Sequence, residues 1–213
     1  MTQEKGNFTE QAVNKFIELV LSRLVDAERL QVRIKSNLKK LGRGELDALT
    51  IQMSNFLLRR NLRVAEFQLD IGAAAVNIQS VMRRQIELLH PSEGKLRIVI
   101  NQEQLTAELN NVNCELRTDG AILFHFNWID AEKTQSATYI TTPKIEGNKI
   151  VLNLTSQEPP TELVNQAISQ MCNILNLNDI AHRGTSFIIQ QIDIEAGKVT
   201  VQANANIEQF PSA

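Results

Sequence analysis

The stretch Arg43–Gln104 reads RGELDALTIQMSNFLLRRNLRVAEFQLDIGAAAVNIQSVMRRQIELLHPSEGKLRIVINQEQ, and its periods decide the fold. Leu49, Ile51 and Met53 alternate with Thr50, Gln52 and Ser54, the two-residue period of a half-buried strand. A basic corner follows at Leu57-Leu58-Arg59-Arg60-Asn61. Leu62 and Val64 then alternate in one phase, and Phe67, Leu69 and Ile71 in the other. That slip at Ala65–Glu66 predicts a bulge and a bend. Gly72-Ala73-Ala74-Ala75 lets backbones approach closely. Arg84–His90 is a further strand candidate, ended by Pro91 and a turn at Ser92-Glu93-Gly94. Lys95–Ile100 continues the sheet, and Asn101 with Gln104 forms a capping-box pair opening a short helix over 102–110.

Upstream, residues 1–7 read as a disordered N-terminus, and Thr9 is placed to cap a helix. Val13, Phe16, Ile17, Val20, Leu21, Leu24 and Val25 make one apolar helical stripe. Such a helix is about 20 residues, or about 30 Å, long. From Leu30 the period becomes two, with Leu30, Val32 and Ile34 on one face, and Gly42 and Gly44 mark a turn. Downstream, Ile122, Phe124, Phe126 and Trp128 share one strand face. Residues 135–145 and 149–155 read as a hairpin, and Pro159-Pro160-Thr161 opens a second helix striped by Leu163, Val164, Ala167, Ile168, Met171, Ile174 and Leu175. A last hairpin turns at Ala196-Gly197. The pattern is that of an α+β domain over residues 8–211, with long bending strands and two amphipathic helices.

Composition narrows the function classes. Of 213 residues, 43% are hydrophobic and 22% charged, ordinary for a globular domain. Cys114 and Cys172, the two cysteines, lie in no metal-binding spacing and read as small apolar residues. The start of the chain lacks the pattern of a signal peptide, and no stretch is long and apolar enough to span a bilayer. The resulting expectation is a cytoplasmic protein. The net charge of −2 is uneven: residues 1–97 carry 16 basic and 11 acidic residues, and residues 98–213 carry 6 and 13. The basic excess gathers at Lys35, Lys39, Lys40 and Arg43, at Arg59, Arg60 and Arg63, and at Arg83 and Arg84. It reads as solvated strand edges and turns or as a surface for anionic lipid. Nucleic-acid motifs are absent from the sequence.

Catalytic patterns are also missing. His90, His125 and His182 are scattered without ligand spacing, and no nucleophile elbow, P-loop or dinucleotide fingerprint occurs. Neither a cofactor nor a metal is expected, and the chain reads as a non-enzyme. What remains is apolar surface. The face of Ile122, Phe124, Phe126 and Trp128 reads first as core and, as the alternative, as the lining of a hydrocarbon-binding groove.

The order of features resembles the LmeA-like family of bacterial phospholipid-binding proteins. The resemblance rests on Gly42-Arg43-Gly44-Glu45-Leu46-Asp47 with Ile51, and on Leu62-Arg63-Val64-Ala65-Glu66-Phe67-Gln68-Leu69. It continues through Arg84-Gln85-Ile86-Glu87-Leu88-Leu89-His90-Pro91 and Asn101-Gln102-Glu103-Gln104-Leu105-Thr106-Ala107-Glu108-Leu109-Asn110, with Phe210-Pro211 near the end. Arg83-Arg84-Gln85 stands where the family has a Gly before its Ile-x-Leu strand. The resemblance implies a tubular lipid-binding fold, in which a long, strongly curved antiparallel sheet wraps a long N-terminal helix. It also implies phospholipid acyl chains in the groove between them. On that reading Phe16, Val20, Leu24, Phe67, Leu69, Phe124, Phe126 and Trp128 line the groove. Arg59, Arg60, Arg63, Arg83 and Arg84 meet headgroups or an anionic membrane. The alternative is a protein-interaction module of the same fold with a filled core.

Overall fold

The computed structural model describes residues 14, 15, 18, 19, 22, 25–58, 62–77, 87–109, 112–130, 133–155, 162–177 and 184–208, without the side chains of 38, 128–130 and 133–135. Among the described residues, the elements with defined bounds are β1 (Arg29–Lys35), α1 (Leu38–Leu41), β2 (Glu45–Leu46), β3 (Ala48–Leu57), β4 (Arg63–Ile71), β5 (Ala74–Ala75), β6 (Ser92–Asn101), α2 (Gln102–Glu108), β7 (Val112–Leu116), β8 (Ile122–Asp130), β9 (Lys133–Glu146), β10 (Lys149–Leu154), α3 (Glu162–Leu175), β11 (Thr185–Glu195) and β12 (Lys198–Ile207). The strands form a six-stranded sheet, β1-β3-β4-β6-β12-β11, a four-stranded sheet, β10-β9-β8-β7, and the small pair β2-β5.

This architecture corrects the expected one. The described chain is mostly strand, in two sheets, and is not a long N-terminal helix wrapped by a curved sheet. Its three helices have 4, 7 and 14 residues. The second helix, expected to be long, is α3, the 14-residue one. The physical reason lies in the strands. Their period-two faces carry most of the buried apolar surface, and the buried residues of both sheets and of α2 and α3 join one cluster. A helix is therefore not needed as the centre of the core. Asn14, Lys15, Glu18 and Leu19 are helical, but the stripe residues Val13, Phe16, Ile17, Val20, Leu21 and Leu24 all lie outside the described residues.

The register shows how the large sheet buries one face. Val32, Ile51, Leu69, Leu96, Ala203 and Ile189 form a single cross-strand row through all six strands. All six are buried. Burying a large apolar side chain stabilises by about 1.5–3 kcal/mol, so this row and its neighbours dominate the energetics. The bulge expected at Ala65–Glu66 does not form: Ser54 faces Glu66 and Phe56 faces Val64 in one unbroken register, and the register shift in this sheet lies at Ile189–Gln191 of β11. Val64 and Phe67 are both buried although three positions apart, and opposite them Asn55 adopts a positive φ of 49°. Arg63 donates to the Asn55 carbonyl at 2.8 Å.

Two local expectations change. Ser92-Glu93-Gly94 is not a turn but the start of β6, with Gly94 opposite both Ile71 and Ala205. Glycine is required there, because a Cβ would sit 2.7 Å from the Asp70 carbonyl oxygen. Of the Arg84–His90 strand, residues 84–86 lie outside the described residues, and Leu88 makes an isolated antiparallel bridge to Val76. The capping box is present, the Asn101 amide donating to Gln104 Oε1 at 3.1 Å.

Side chains close the sheet edges. On β1, the Ile34 amide donates to Asn14 Oδ1 at 2.8 Å and the Val32 amide to Glu18 Oε1 at 3.0 Å. On β7, the Leu116 amide donates to Gln102 Oε1 at 2.8 Å and the Cys114 amide to Thr106 Oγ1 at 3.4 Å. Asn176 serves β10, and Asn148 serves β11 by accepting from the Ile189 amide at 2.9 Å and donating to the Phe187 carbonyl at 3.0 Å. Open edges template pairing with other chains, and these contacts occupy them.

Candidate functional site

The expected apolar lining comes from two sheets. Phe67 and Leu69 lie on β4, both 8% exposed. Phe124 and Phe126 lie on β8, at 0% and 7%. All four belong to the buried cluster that joins the two sheets. Phe67 meets Phe56 edge-on at 5.6 Å, and Phe126 meets Tyr139 edge-on at 5.7 Å. Such geometry sets the ring edge against the ring face. Phe16, Val20, Leu24 and the side chain of Trp128 lie outside the described residues. Tyr139 was not anticipated; its place in the 133–146 strand, directly opposite Phe124, was the available signal.

Near one end of the large sheet the buried row changes character. Gly94 and Ala205 are neighbours in register, and Ala203 sits beside Leu96. The side chains there are small, whereas the Phe67–Ile98–Val201 row carries larger ones.

Among the described basic positions, Arg63, Lys40 and Arg43 of the expected clusters are engaged, as is Arg97. Arg63 donates to Asp26 Oδ2 at 2.9 Å as well as to the Asn55 carbonyl. Arg97 pairs with Glu66 at 2.6 Å, Lys40 with Asp47, and Arg43 with Glu45 at 3.9 Å. These pairs are substantially exposed, where an ion pair contributes little to stability but fixes a side chain's direction. Arg59, Arg60, Arg83 and Arg84 lie outside the described residues.

Titratable chemistry is sparse. Both cysteines are free, and burial pushes the thiols of Cys114 and Cys172 above their ordinary range, the opposite of nucleophile activation. His125 lies 3.4 Å from Glu115 on an exposed strand face. Among the described residues no group of three His, Cys, Asp or Glu could hold a metal, and no helix is long and apolar enough to cross a membrane.

The described residues thus combine one apolar interior with surface charges of which several are paired. The chain belongs to the LmeA-like phospholipid-binding family, whose model matches residues 6–204. Comparison with curated proteins and with solved structures finds no match to either.

Proposed function

We propose that this protein binds phospholipid without catalysing a reaction, with acyl chains held against the apolar faces that β4 and β8 present to the common core. The observation that carries this reading is the family match over residues 6–204, together with one continuous apolar cluster spanning both sheets. Phe67, Leu69, Phe124 and Phe126 would contact hydrocarbon, joined by Phe16, Val20, Leu24 and Trp128. The small residues Gly94, Ala203 and Ala205 supply width for a chain. Arg59, Arg60, Arg63, Arg83 and Arg84 would face anionic headgroups at a membrane surface, each cation contributing about 1 kcal/mol there. Transfer of lipid between membranes is the activity such a binder would support.

Native mass spectrometry of the purified chain, with extraction and identification of bound lipid, tests the reading. Near-stoichiometric phospholipid is expected. A clean apo mass with no uptake from liposomes overturns it. That outcome would favour the rival, a filled core whose surface binds protein, which the near-complete burial of Phe124 also favours. Separately, replacing Arg59, Arg60 and Arg63 with Glu should abolish binding to anionic vesicles.

A further inference from the structure

A pocket of about 710 Å³ lies over one end of the six-stranded sheet, between β4, β6, β12 and β11. The register makes its floor. Asp70, Lys95, Asn204 and Ile188 form one cross-strand row, and Glu93 stands opposite Asn206 in the next row on the same face. This is the wet face: Lys95, Asn204, Asn206 and Glu93 are exposed, and Ile188 is an apolar side chain 54% exposed among them. Gly72 lines the pocket as well and adds no side chain to fill it.

The charges there are not paired as cross-strand neighbours usually are. Lys95 lies directly opposite Asp70, yet no ion pair joins them. Instead Asp70 accepts from Thr50 Oγ1 at 2.7 Å on one oxygen and from Gln68 Nε2 at 2.6 Å on the other. Its carboxylate is thereby held toward β3 and β4. The Lys95 ammonium makes no hydrogen bond or ion pair with any described residue, and neither do the side chains of Asn204, Asn206 and Glu93. The pocket therefore offers one cation and two carboxamides, which donate to phosphate oxygens. Beside them stands one carboxylate, which accepts from an ammonium.

We propose that this pocket binds a phosphate–ammonium zwitterion of the phosphoethanolamine type, with the phosphate on Lys95, Asn204 and Asn206 and the ammonium on Glu93. Ile188 would cover the ligand's methylenes. The ligand class rests on the phospholipid reading above, but the site stands apart from the buried core that would hold acyl chains. Asp70 and Glu93 together outweigh Lys95, so a simple dianion is disfavoured and a zwitterion is matched.

The test is amide-resolved NMR titration of the full chain with O-phosphoethanolamine, inorganic phosphate and ethanolamine. Phosphoethanolamine should saturate, shifting the amides around Lys95 and Asn204, and should bind at least about tenfold more tightly than either fragment. Lys95→Ala should remove that binding, and Glu93→Gln should erase the preference over phosphate. Both residues are exposed, so neither change should alter the melting temperature. Equal binding of phosphate and phosphoethanolamine, or shifts unchanged by Lys95→Ala, overturns the proposal. Flotation with phosphatidylcholine vesicles, with and without phosphatidylethanolamine, separates the two sources of this chemistry. Preference for the phosphatidylethanolamine vesicles that is lost in Lys95→Ala assigns the site to a lipid headgroup. Equal flotation alongside saturable free binding assigns it to a soluble phosphoester. Co-purified lipid reports on the core independently, so the two readings fail separately.

Discussion

Asn176 completes both backbone hydrogen bonds of Ile150. The Ile150 amide donates to Asn176 Oδ1 at 2.6 Å, and Asn176 Nδ2 donates to the Ile150 carbonyl at 2.9 Å. A side-chain amide beyond the end of α3 thus replaces the missing neighbour strand of β10. The same Nδ2 also donates to the Cys172 carbonyl at 2.8 Å, tying that edge to the helix. Asn176→Ala leaves these backbone groups without partners, each costing about 1–3 kcal/mol where buried. Denaturation in urea should show a loss of about 2 kcal/mol. Amide exchange at Ile150 should accelerate well beyond that at Val151, and equal rates would sink the assignment.

Gly94 and Gly72 give a sharper contrast. A Cβ at Gly94 would meet the Asp70 carbonyl oxygen at 2.7 Å, while at Gly72 the nearest atom is 3.7 Å away. Gly94→Ala must push β4 from β6 and should cost at least about 2 kcal/mol, within the range for overpacking. Gly72→Ala should leave stability within about 1 kcal/mol of the wild type. Thermal melts of the two variants decide it.

Phe124 is fully buried between Cys114 and Tyr139 in register. Phe124→Ala should cost about 3–5 kcal/mol. Phe124→Leu should recover most of that stability. If the acyl-chain reading holds, Phe124→Leu should also change the chain-length distribution of co-purified lipid, as read by mass spectrometry.

The buried thiols make stability depend on pH at the alkaline end. Burial raises the pKa of Cys114, and of Cys172 less deeply buried, against the unfolded chain. The unfolded state then loses its thiol protons first. The stabilisation is complete below the unfolded thiol pKa of about 8.5 and declines as pH rises through the folded value. Urea midpoints should therefore fall between pH 8 and 10 in the wild type and fall less in a Cys114→Ala, Cys172→Ala double variant.

Much of the strand layout could be read from the alternation of apolar and polar residues. Leu49-Ile51-Met53 and the β12 alternation are each explicit in sequence, and both strands form there. The phase slip at Ala65–Glu66 shows as two buried residues three apart, Val64 and Phe67, but the bulge read from it does not form, because the register with β3 runs through unbroken. Periodicity could not rank the elements. The stripe from Val13 to Leu24 suggested the centre of the molecule, but strands outnumber helices and the common core joins two sheets. Gly94 was misread as a turn residue because glycine serves turns and close strand contacts alike. The edge contacts of Asn14, Asn148 and Asn176 were invisible in sequence, since each joins residues 20 to 41 positions apart. For the candidate site, Phe67, Leu69, Phe124 and Phe126 were identifiable as buried faces. The row of Lys95 with Asn204 was not, because it depends on β6 pairing with β12.

That pairing also bears on how the chain is made. β6 ends at Asn101, yet its partner β12 begins only at Lys198, with the whole four-stranded sheet and α3 in between. During synthesis Leu96, Ile98 and Ile100 wait beside an unpaired flank while about 100 further residues emerge, several seconds or more at ordinary elongation rates. Non-local strand pairing of this kind is slow, and the waiting intermediate exposes an adhesive apolar ribbon. Lys95 and Arg97 alternate with Leu96, Ile98 and Ile100 along that ribbon, and charges so placed disfavour self-association of an apolar strand. A nascent chain halted before Thr185 should accordingly depend on chaperone holding, and release of the last hairpin should end that dependence.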